Sequence, residues 1–202
     1  MTLVEEILIR QLGRADYGST LDAMRAFTAR RNESTPDEIW LLEHPPVYTL
    51  GQGAESPSVD NGIALIQADR GGEITYHGPG QVVLYALVDL GRRGIKVKQF
   101  IAILEGSVID LLGGRGERKP GAPGVYVGGA KIAALGIRVT RGRAYHGLAL
   151  NVDMDLAPFR AIDPCGYPGL AVTQTRELGI KKSMDEIGAE LAAILVGKLE
   201  HA

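Results

Sequence analysis

The chain lacks the material that several classes of protein require. Its single cysteine excludes an internal disulfide, and one cysteine with four scattered histidines does not give the spacing of a structural zinc site. The longest apolar run, residues 82–88, is far too short to span a bilayer, and the N-terminus lacks a basic segment and a cleavage signal. We therefore expect a cytoplasmic protein without a membrane span.

An excess of charge of one sign is missing as well. The chain has 22 Lys and Arg against 24 Asp and Glu, so its formal net charge is −2. Bulk binding to nucleic acid is therefore not expected.

The amino acids that are present predict a mixed fold of one domain, residues 1–202. The 27 glycines, roughly twice the average share, indicate tight turns or close approach of the backbone to a ligand. Hydrophobic spacing predicts an α/β (α+β) arrangement, with turns at 128–129 and 141–142 and a capping box at Ser183 and Glu186. The predicted strands are 6–12, 39–42, 47–50, 63–68, 73–76, 81–89, 125–127, 131–140 and 143–152. The predicted helices are one that contains residues 17–27 and ends before Pro36, one over 98–112, and the segment after Ser183.

A glycine-rich segment lies between two strand-like runs. It reads Arg70-Gly71-Gly72-Glu73-Ile74-Thr75-Tyr76-His77-Gly78-Pro79-Gly80-Gln81. One interpretation is a hairpin with a surface histidine, and the other is a substrate cradle whose backbone amides approach a carbonyl or a phosphate. The segment is neither a P-loop nor a dinucleotide fingerprint, because Gly-Lys-Ser/Thr and Gly-x-Gly-x-x-Gly are both missing from it.

Lys131 is an isolated charge in an apolar stretch. No other charged residue occurs between Val125 and Ile137, so the strand is expected to be buried on both faces. A lysine on a strand edge commonly points to solvent. A desolvated lysine can instead act as a base near neutrality.

Cys165 and His146 each allow two interpretations. A lone cysteine is commonly an inert small hydrophobe, but Pro164 and Gly166 place this thiol in a rigid irregular loop. His146 fits either a satisfied core histidine or the wall of an acyl pocket near Gly147. If Cys165 and Lys131 meet in space, they form a nucleophile and its proton acceptor, the minimum equipment for acyl transfer through a thioester.

Three sequence blocks, in this order, resemble the lipoyl (octanoyl) transferase family. The resemblance covers nearly the whole chain and is strongest from Arg70 to Thr173. The blocks are Arg70 to Tyr85 with Thr75, His77 and Gln81 in place, Gly124-Val125-Tyr126 with Lys131-Ile132-Ala133, and His146 to Val152 leading to Pro164-Cys165-Gly166.

The resemblance implies a mixed sheet flanked by helices, similar to the catalytic domain of biotin and lipoate protein ligases. It implies a Cys165–Lys131 dyad without a cofactor or metal. The implied reaction transfers an octanoyl group from octanoyl-acyl carrier protein to a lysine of a lipoyl domain, the first step of endogenous lipoate synthesis. The implied substrate-binding residues are Arg70, Gly71, Gly72, Glu73, Ile74, Thr75, Tyr76, His77, Ala134, Leu135, Gly136, Gly147, Leu148 and Ala149.

The implied partners are proteins. Acceptors would be lipoyl domains of 2-oxoacid dehydrogenases and the glycine cleavage H protein, and we expect the enzyme to act as a monomer. An acidic carrier protein would need a basic patch, for which Arg92-Arg93 with Lys96 and Lys98, or Arg138 with Arg141 and Arg143, are candidates; both segments also fit solvated loop ends.

Three alternatives stay open at the level of sequence. An ATP-dependent lipoate or biotin ligase would need an adenylate site and not Cys165. A thioesterase would let water resolve the acyl-enzyme. A non-catalytic acyl-binding module would transfer nothing.

Overall fold

The computed structural model describes residues 6–54, 61–162 and 169–202. These residues form ten strands and four α-helices, with two short 3₁₀ helices at Ala157–Ala161 and Thr175–Leu178. The strands are β1 (Leu8–Arg14), β2 (Glu38–Glu43), β3 (Val47–Leu50), β4 (Ala64–Gln67), β5 (Ile74–His77), β6 (Gln81–Asp89), β7 (Glu117–Lys119), β8 (Ala122–Val127), β9 (Ala130–Thr140) and β10 (Arg143–Asn151). The helices are α1 (Tyr17–Arg30), α2 (Leu90–Arg93), α3 (Val97–Leu111) and α4 (Met184–Glu200).

The strands form two sheets. The larger sheet has seven strands in the order β1-β2-β6-β10-β9-β8-β7, and only its edge pair β1–β2 is parallel. The smaller sheet has the order β4-β3-β5, with β3 parallel to β4 and antiparallel to β5.

Side-chain alternation along β6 separates two apolar layers. Val82, Leu84 and Ala86 belong to the core formed with α3 and α4, whereas Val83 and Tyr85 belong to the core formed with α1 and the smaller sheet. The apolar run predicted as a strand is therefore a central strand that is covered on both faces, as its composition indicates.

Several local predictions are confirmed. Arg141 and Gly142 both have positive φ (50° and 77°), as do Gly128 and Gly129, which matches tight hairpin turns. The Ser183 side chain accepts from the Glu186 N–H, and the Glu186 carboxylate accepts from the Ser183 N–H. Helix α4 therefore begins with the predicted capping box.

Two short elements were not predicted. β7 has only three residues, all polar, and pairs with β8 across a register shift. α2 has four residues, with Asp89 capping its start and Gly94 (φ 67°) ending it. Neither is long enough to show a hydrophobic period.

Asp37 explains part of one predicted basic patch. Its fully buried carboxylate accepts from Arg31, from Arg92 Nη2 at 2.9 Å and from Arg93 Nε at 2.6 Å. Burial alone would raise the pKa of Asp37, but the Asp89 N–H and the arginines hold it below its ordinary value. Arg92 and Arg93 therefore join β2 to α2 and are not a solvated loop end.

None of the helices in the described ranges is long and apolar enough to cross a membrane.

Candidate active site

Lys131 lies near the start of β9 and is buried, with 4% of its surface exposed. Its Nζ lies 3.4 Å from the Pro123 carbonyl oxygen and 5.2 Å from the centre of the Tyr126 ring. The interpretation of Lys131 as a solvent-facing edge residue is therefore wrong. Burial on both faces holds for residues 131–133, whereas the following residues of β9 are half-buried. A buried amine beside a carbonyl and an aromatic face is held in a fixed position.

A returning segment of the chain pairs with Lys131. The Lys131 N–H donates to Ala171 O at 2.8 Å, and the Thr173 N–H donates to Lys131 O at 3.0 Å. Residues 171–173 therefore pair with Lys131 as an isolated parallel β-bridge. Cys165, the predicted nucleophile, lies outside the described residues, but its sequence position is only six residues before Ala171.

A narrow pocket lies between the larger sheet, the start of α1 and strand β5. The space open to the centre of a water molecule is about 30 Å³. Nine of the predicted substrate-binding residues line it, and they come from the glycine-rich segment, β9 and β10. They are Arg70, Thr75, His77, Ala134, Leu135, Gly136, Gly147, Leu148 and Ala149. Tyr17, Val83, Tyr85 and His146 complete the wall.

Strand alternation divides the predicted run through β5. Thr75 and His77 face the pocket, whereas Ile74 and Tyr76 pack in a separate core with Tyr48 on the far side of the smaller sheet. The resemblance named all four as consecutive substrate contacts, but adjacent residues of a strand point to opposite faces. Ile74 and Tyr76 thus support the strand and do not line this pocket.

Gly71, Gly72 and Glu73 line a second cavity, which we call the loop groove. It has a volume of about 410 Å³. The Gly71 N–H donates to Ile137 O at 3.0 Å, so the glycine-rich loop docks on the edge of β9 beyond the end of β8. The residues of the loop groove are Arg70, Gly71, Gly72, Glu73, Val97, Ile101, Gly121, Ala122, Pro123, Leu135, Gly136 and Ile137. Arg70, Leu135 and Gly136 border both cavities, which therefore adjoin.

Two glycines let backbones approach each other at the pocket. A Cβ on Gly147 would lie 2.2 Å from the Leu84 carbonyl oxygen, and one on Gly136 would lie 2.9 Å from the Gly71 carbonyl oxygen. Neither obstacle is a flexible side chain, so each position requires glycine. Because Gly136 and Gly147 have no side chains, the backbone itself forms the pocket surface at these two positions.

A chain of buried hydrogen bonds fixes the His77 ring. Arg70 Nη2 donates to Thr49 Oγ1 at 2.7 Å, and Thr49 Oγ1 lies 3.3 Å from His77 Nε2. Gln81 donates its amide to Tyr76 O and Asn151 Oδ1, so its Oε1 must accept, and it lies 2.8 Å from His77 Nδ1. A proton therefore lies on His77 Nδ1, and burial keeps the ring neutral because it lowers the pKa of His77 well below its ordinary value.

The same chain reaches the segment beside Lys131. Asn151 Nδ2 donates to Thr173 O at 3.0 Å, and Thr173 is hydrogen-bonded through its N–H to Lys131. The pocket and Lys131 are therefore connected through the buried polar side chains of His77, Gln81 and Asn151. Satisfied buried networks of this kind hold one arrangement.

Two further histidines lie near the pocket. His44 Nδ1 lies 2.7 Å from Ala15 O and its Nε2 lies 2.8 Å from the Tyr85 hydroxyl, which places the proton on Nδ1. His146, at φ 63°, lies with Nε2 2.8 Å from Asp69 Oδ1. Burial is the largest cause that lowers the pKa of His44 and His146, and it also lowers the pKa of His77 well below its ordinary value.

Sequence reasoning missed some of these residues. Tyr17 was interpreted only as the first apolar position of a helix, yet its ring stacks on His77 with centroids 5.9 Å apart. Asp69 was not predicted as a site residue, although its carboxylate accepts hydrogen bonds from Arg25, Tyr145 and His146. Its position directly before Arg70 was the one available signal.

The arrangement suits a narrow apolar chain whose surroundings are polar at several points. Among residues 6–54, 61–162 and 169–202, no group of three His, Cys, Asp or Glu side chains is placed to hold a metal ion. These residues form a narrow, partly apolar pocket that buried hydrogen bonds connect to Lys131.

Comparison with known proteins agrees with this geometry. The family described as "Lipoyl protein ligase A/B catalytic domain" matches residues 16–195. An octanoyltransferase of Aromatoleum aromaticum is 57% identical over 194 residues, which cover 94% of this chain and 84% of that protein.

Solved structures match in fold. A lipoate-protein ligase A bound with ATP has a TM-score of 0.78 at 17% identity, covering 97% of this chain and 86% of that one. The biotin protein ligase of Aquifex aeolicus has a TM-score of 0.56 at 12% identity, covering 98% of this chain and 70% of that one. The predicted mixed sheet flanked by helices, similar to these ligases, is confirmed.

Proposed function

The chain belongs to the family of lipoyl protein ligase A/B catalytic domains and is an acyltransferase for octanoyl groups, and we propose that its donor is octanoyl-acyl carrier protein. The proposed acceptor is a lysine of a lipoyl domain, in 2-oxoacid dehydrogenases and the glycine cleavage H protein. The reaction forms an amide from a thioester, which is already activated and needs no ATP. We further propose that residues 1–202 act as one catalytic domain, as a monomer, in the cytoplasm.

The proposed mechanism has two acyl transfers. In the first, the Cys165 sulfur attacks the carbonyl carbon of the donor thioester and the carrier thiol leaves, so that the octanoyl group becomes a thioester on Cys165. In the second, the acceptor amine attacks this thioester, the amide forms and the Cys165 thiol is released. No atom is left over, and neither step is a redox reaction.

Lys131 is the proposed proton acceptor. At a reference pKa of about 8.5, only roughly 3% of a thiol is ionised at pH 7, so the thiol proton needs a base or the thiolate needs a stabilising charge. Lys131 supplies either, and it returns the proton when the thiolate leaves.

One observation carries this proposal: a buried lysine whose backbone pairs with the segment that follows the cysteine loop. Both Lys131 backbone groups bond residues 171–173, and its Nζ is held near Pro123 O. Cys165 precedes Ala171 by six positions, a reach of at most about 20 Å, so the chain length allows the thiol to approach the lysine.

The narrow pocket is the proposed acyl site. Burial of about seven methylenes gives on the order of 5 kcal/mol, which anchors an octanoyl chain without polar contacts. Arg70, Thr75, His77, Ala134 to Gly136 and Gly147 to Ala149 are its proposed walls.

The proposal is tested by intact-mass analysis after incubation with octanoyl-carrier protein and no ATP. The expected product carries one octanoyl group on Cys165. Cys165→Ser should lose nearly all transfer to a lipoyl domain, because an alcohol is a much weaker nucleophile near neutrality.

Three results would contradict it. Normal transfer by Cys165→Ala would remove the covalent route. Transfer that requires ATP would favour a ligase. Release of free octanoate in place of transfer would favour a thioesterase.

A further inference from the structure

The loop groove lies beside Lys131 and adjoins the acyl pocket. Pro123, whose carbonyl oxygen is 3.4 Å from Lys131 Nζ, lines the groove at one side. Arg70, Leu135 and Gly136 border the groove and the acyl pocket alike. A ligand laid in the groove therefore passes Pro123, the neighbour of the Lys131 amine, and can extend into the acyl pocket.

The wall that α3 contributes is apolar and exposed. Val97 is 45% exposed, although it is a large hydrophobic residue, and Ile101 follows it by one helical turn on the same face. Gly71 and Gly72 form the opposite wall with backbone alone. This lining suits a slender, partly apolar arm better than a folded surface.

The rim of the groove is basic. Lys96 and Lys98 flank Val97, and both are exposed. Arg138 follows Ile137 on β9, so its side chain leaves the opposite face of the strand, where it donates to Gln52 Oε1. No side chain caps the N-terminus of α3, so the helix dipole adds to the positive potential there. Glu73 is the one acidic residue among those that line the groove in the described ranges.

The other candidate basic surfaces fit an acidic partner less well. Arg92 and Arg93 bond Asp37. Arg141 and Arg143 line a separate cleft with Arg25, near the far end of β9. Nine residues of strand separate Lys131 from Thr140, which is roughly 30 Å. A donor docked there would present its thioester far from Lys131.

We propose that the loop groove receives the thioester arm of the donor, and that Lys96 and Lys98 dock the acidic carrier protein to which the arm is attached. This inference rests on the proposed function, since it assumes a protein-borne thioester donor. The basic rim attracts the acidic protein, the groove guides the arm past Gly71 and Pro123, and the acyl chain continues into the adjoining pocket. Complementary charge of this kind raises the rate of association.

The test compares two donors and matched charge reversals. The donors are octanoyl-acyl carrier protein and octanoyl-N-acetylcysteamine, a small thioester without a protein. The variants are Lys98→Glu and Lys96→Glu on the rim, with Lys181→Glu as the control, because Lys181 is equally exposed but lies before α4. Each change alters the net charge by the same amount.

The rim variants should lower kcat/KM with the carrier protein roughly tenfold at low salt, and leave kcat/KM with the small thioester unchanged. High salt should lower the wild-type rate with the carrier protein and shrink the difference, because exposed charges are screened over roughly 10 Å at 0.1 M. Lys181→Glu should match the wild type with both donors.

Other outcomes overturn the inference in distinguishable ways. Equal losses with both donors, no loss with either, or an equal loss in Lys181→Glu would remove the rim from docking and leave the proposed function intact. Wild-type transfer from the small thioester but not from the carrier protein would overturn the protein donor. Absence of wild-type transfer from both would overturn the proposed function together with this inference.

Discussion

Gly124 lies against the side chain of Lys131. A Cβ at residue 124 would lie 3.1 Å from Lys131 Cε and 3.4 Å from Nζ, and 2.8 Å from the Ala133 carbonyl oxygen. The φ of Gly124 is 142°, a conformation that other residues rarely adopt. Residue 124 must therefore be glycine, because its φ disfavours other residues and because an added Cβ would crowd the Lys131 side chain and the Ala133 carbonyl oxygen.

Gly124→Ala should displace the Lys131 amine and lower octanoyl transfer by roughly 10–100-fold, since small errors of placement at a reacting group are costly. The measurement is kcat of transfer, with the melting temperature recorded on the same samples. Gly197→Ala, a glycine in α4 with no atom within 4 Å of the added Cβ, is the matched control. Full activity in a folded Gly124→Ala protein would show that the position of the lysine is not critical.

Lys131→Arg should lower transfer by roughly 10²–10⁴-fold, because guanidinium cannot accept a proton near neutrality. Lys119→Arg is the control, since Lys119 Nζ lies 4.3 Å from the centre of the same Tyr126 ring but bonds Gly129 O. The rate of acylation of Cys165 and the rate of transfer are measured separately. Wild-type rates for Lys131→Arg would favour a purely electrostatic role over a base.

Saturated acyl chains near eight carbons should be preferred, because the pocket is narrow and its walls are backbone at Gly136 and Gly147. Each methylene beyond the pocket should cost about 1–3 kcal/mol. Val83→Ala enlarges the pocket and should favour longer acyl chains. Val82→Ala is the control, because it removes the same atoms from the opposite face of β6 and should leave the chain-length preference unchanged. Rates are measured for donors of six to sixteen carbons. Equal rates on octanoyl and palmitoyl donors would contradict a closed pocket.

The sequence predicted the elements well where the hydrophobic period is long. β6 and α3 have long apolar patterns, and their predicted bounds agree with the structure to within one residue. Strand β7 has only three residues, all polar, so it shows no hydrophobic period and was not predicted. Local signals fail where the element is fixed only by its neighbour in the sheet.

The site was predicted less completely, for two physical reasons. A linear block names consecutive residues, but β5 turns Thr75 and His77 to the pocket and Ile74 and Tyr76 away from it. A tertiary pocket also recruits residues from distant elements, and Tyr17 arrives from α1, where it fits an ordinary apolar helix position. Strand alternation could have corrected the first error, while only the packing of α1 reveals the second.

Buried neutral histidines should make the protein less stable below about pH 6.5. Burial lowers the pKa of His44, His77 and His146, whereas unfolding returns each to about 6.5. Below that pH the unfolded chain binds more protons, so the free energy of unfolding falls as the pH falls toward the folded-state values. Asp37 acts in a different window, because its lowered pKa keeps its stabilising contribution until the pH falls below about 4.

The expected loss approaches about 1.4 kcal/mol per pH unit for each histidine that is protonated only on unfolding. Urea unfolding at pH 7.5, 6.5, 5.5 and 5.0 measures it. His44→Gln should reduce the slope of the free energy of unfolding against pH by about 1.4 kcal/mol per pH unit, the contribution of one proton. His201→Gln, in the exposed turn after α4, is the control. A free energy of unfolding that stays constant from pH 7.5 to 5.0 would mean that these rings accept protons without leaving their buried hydrogen bonds.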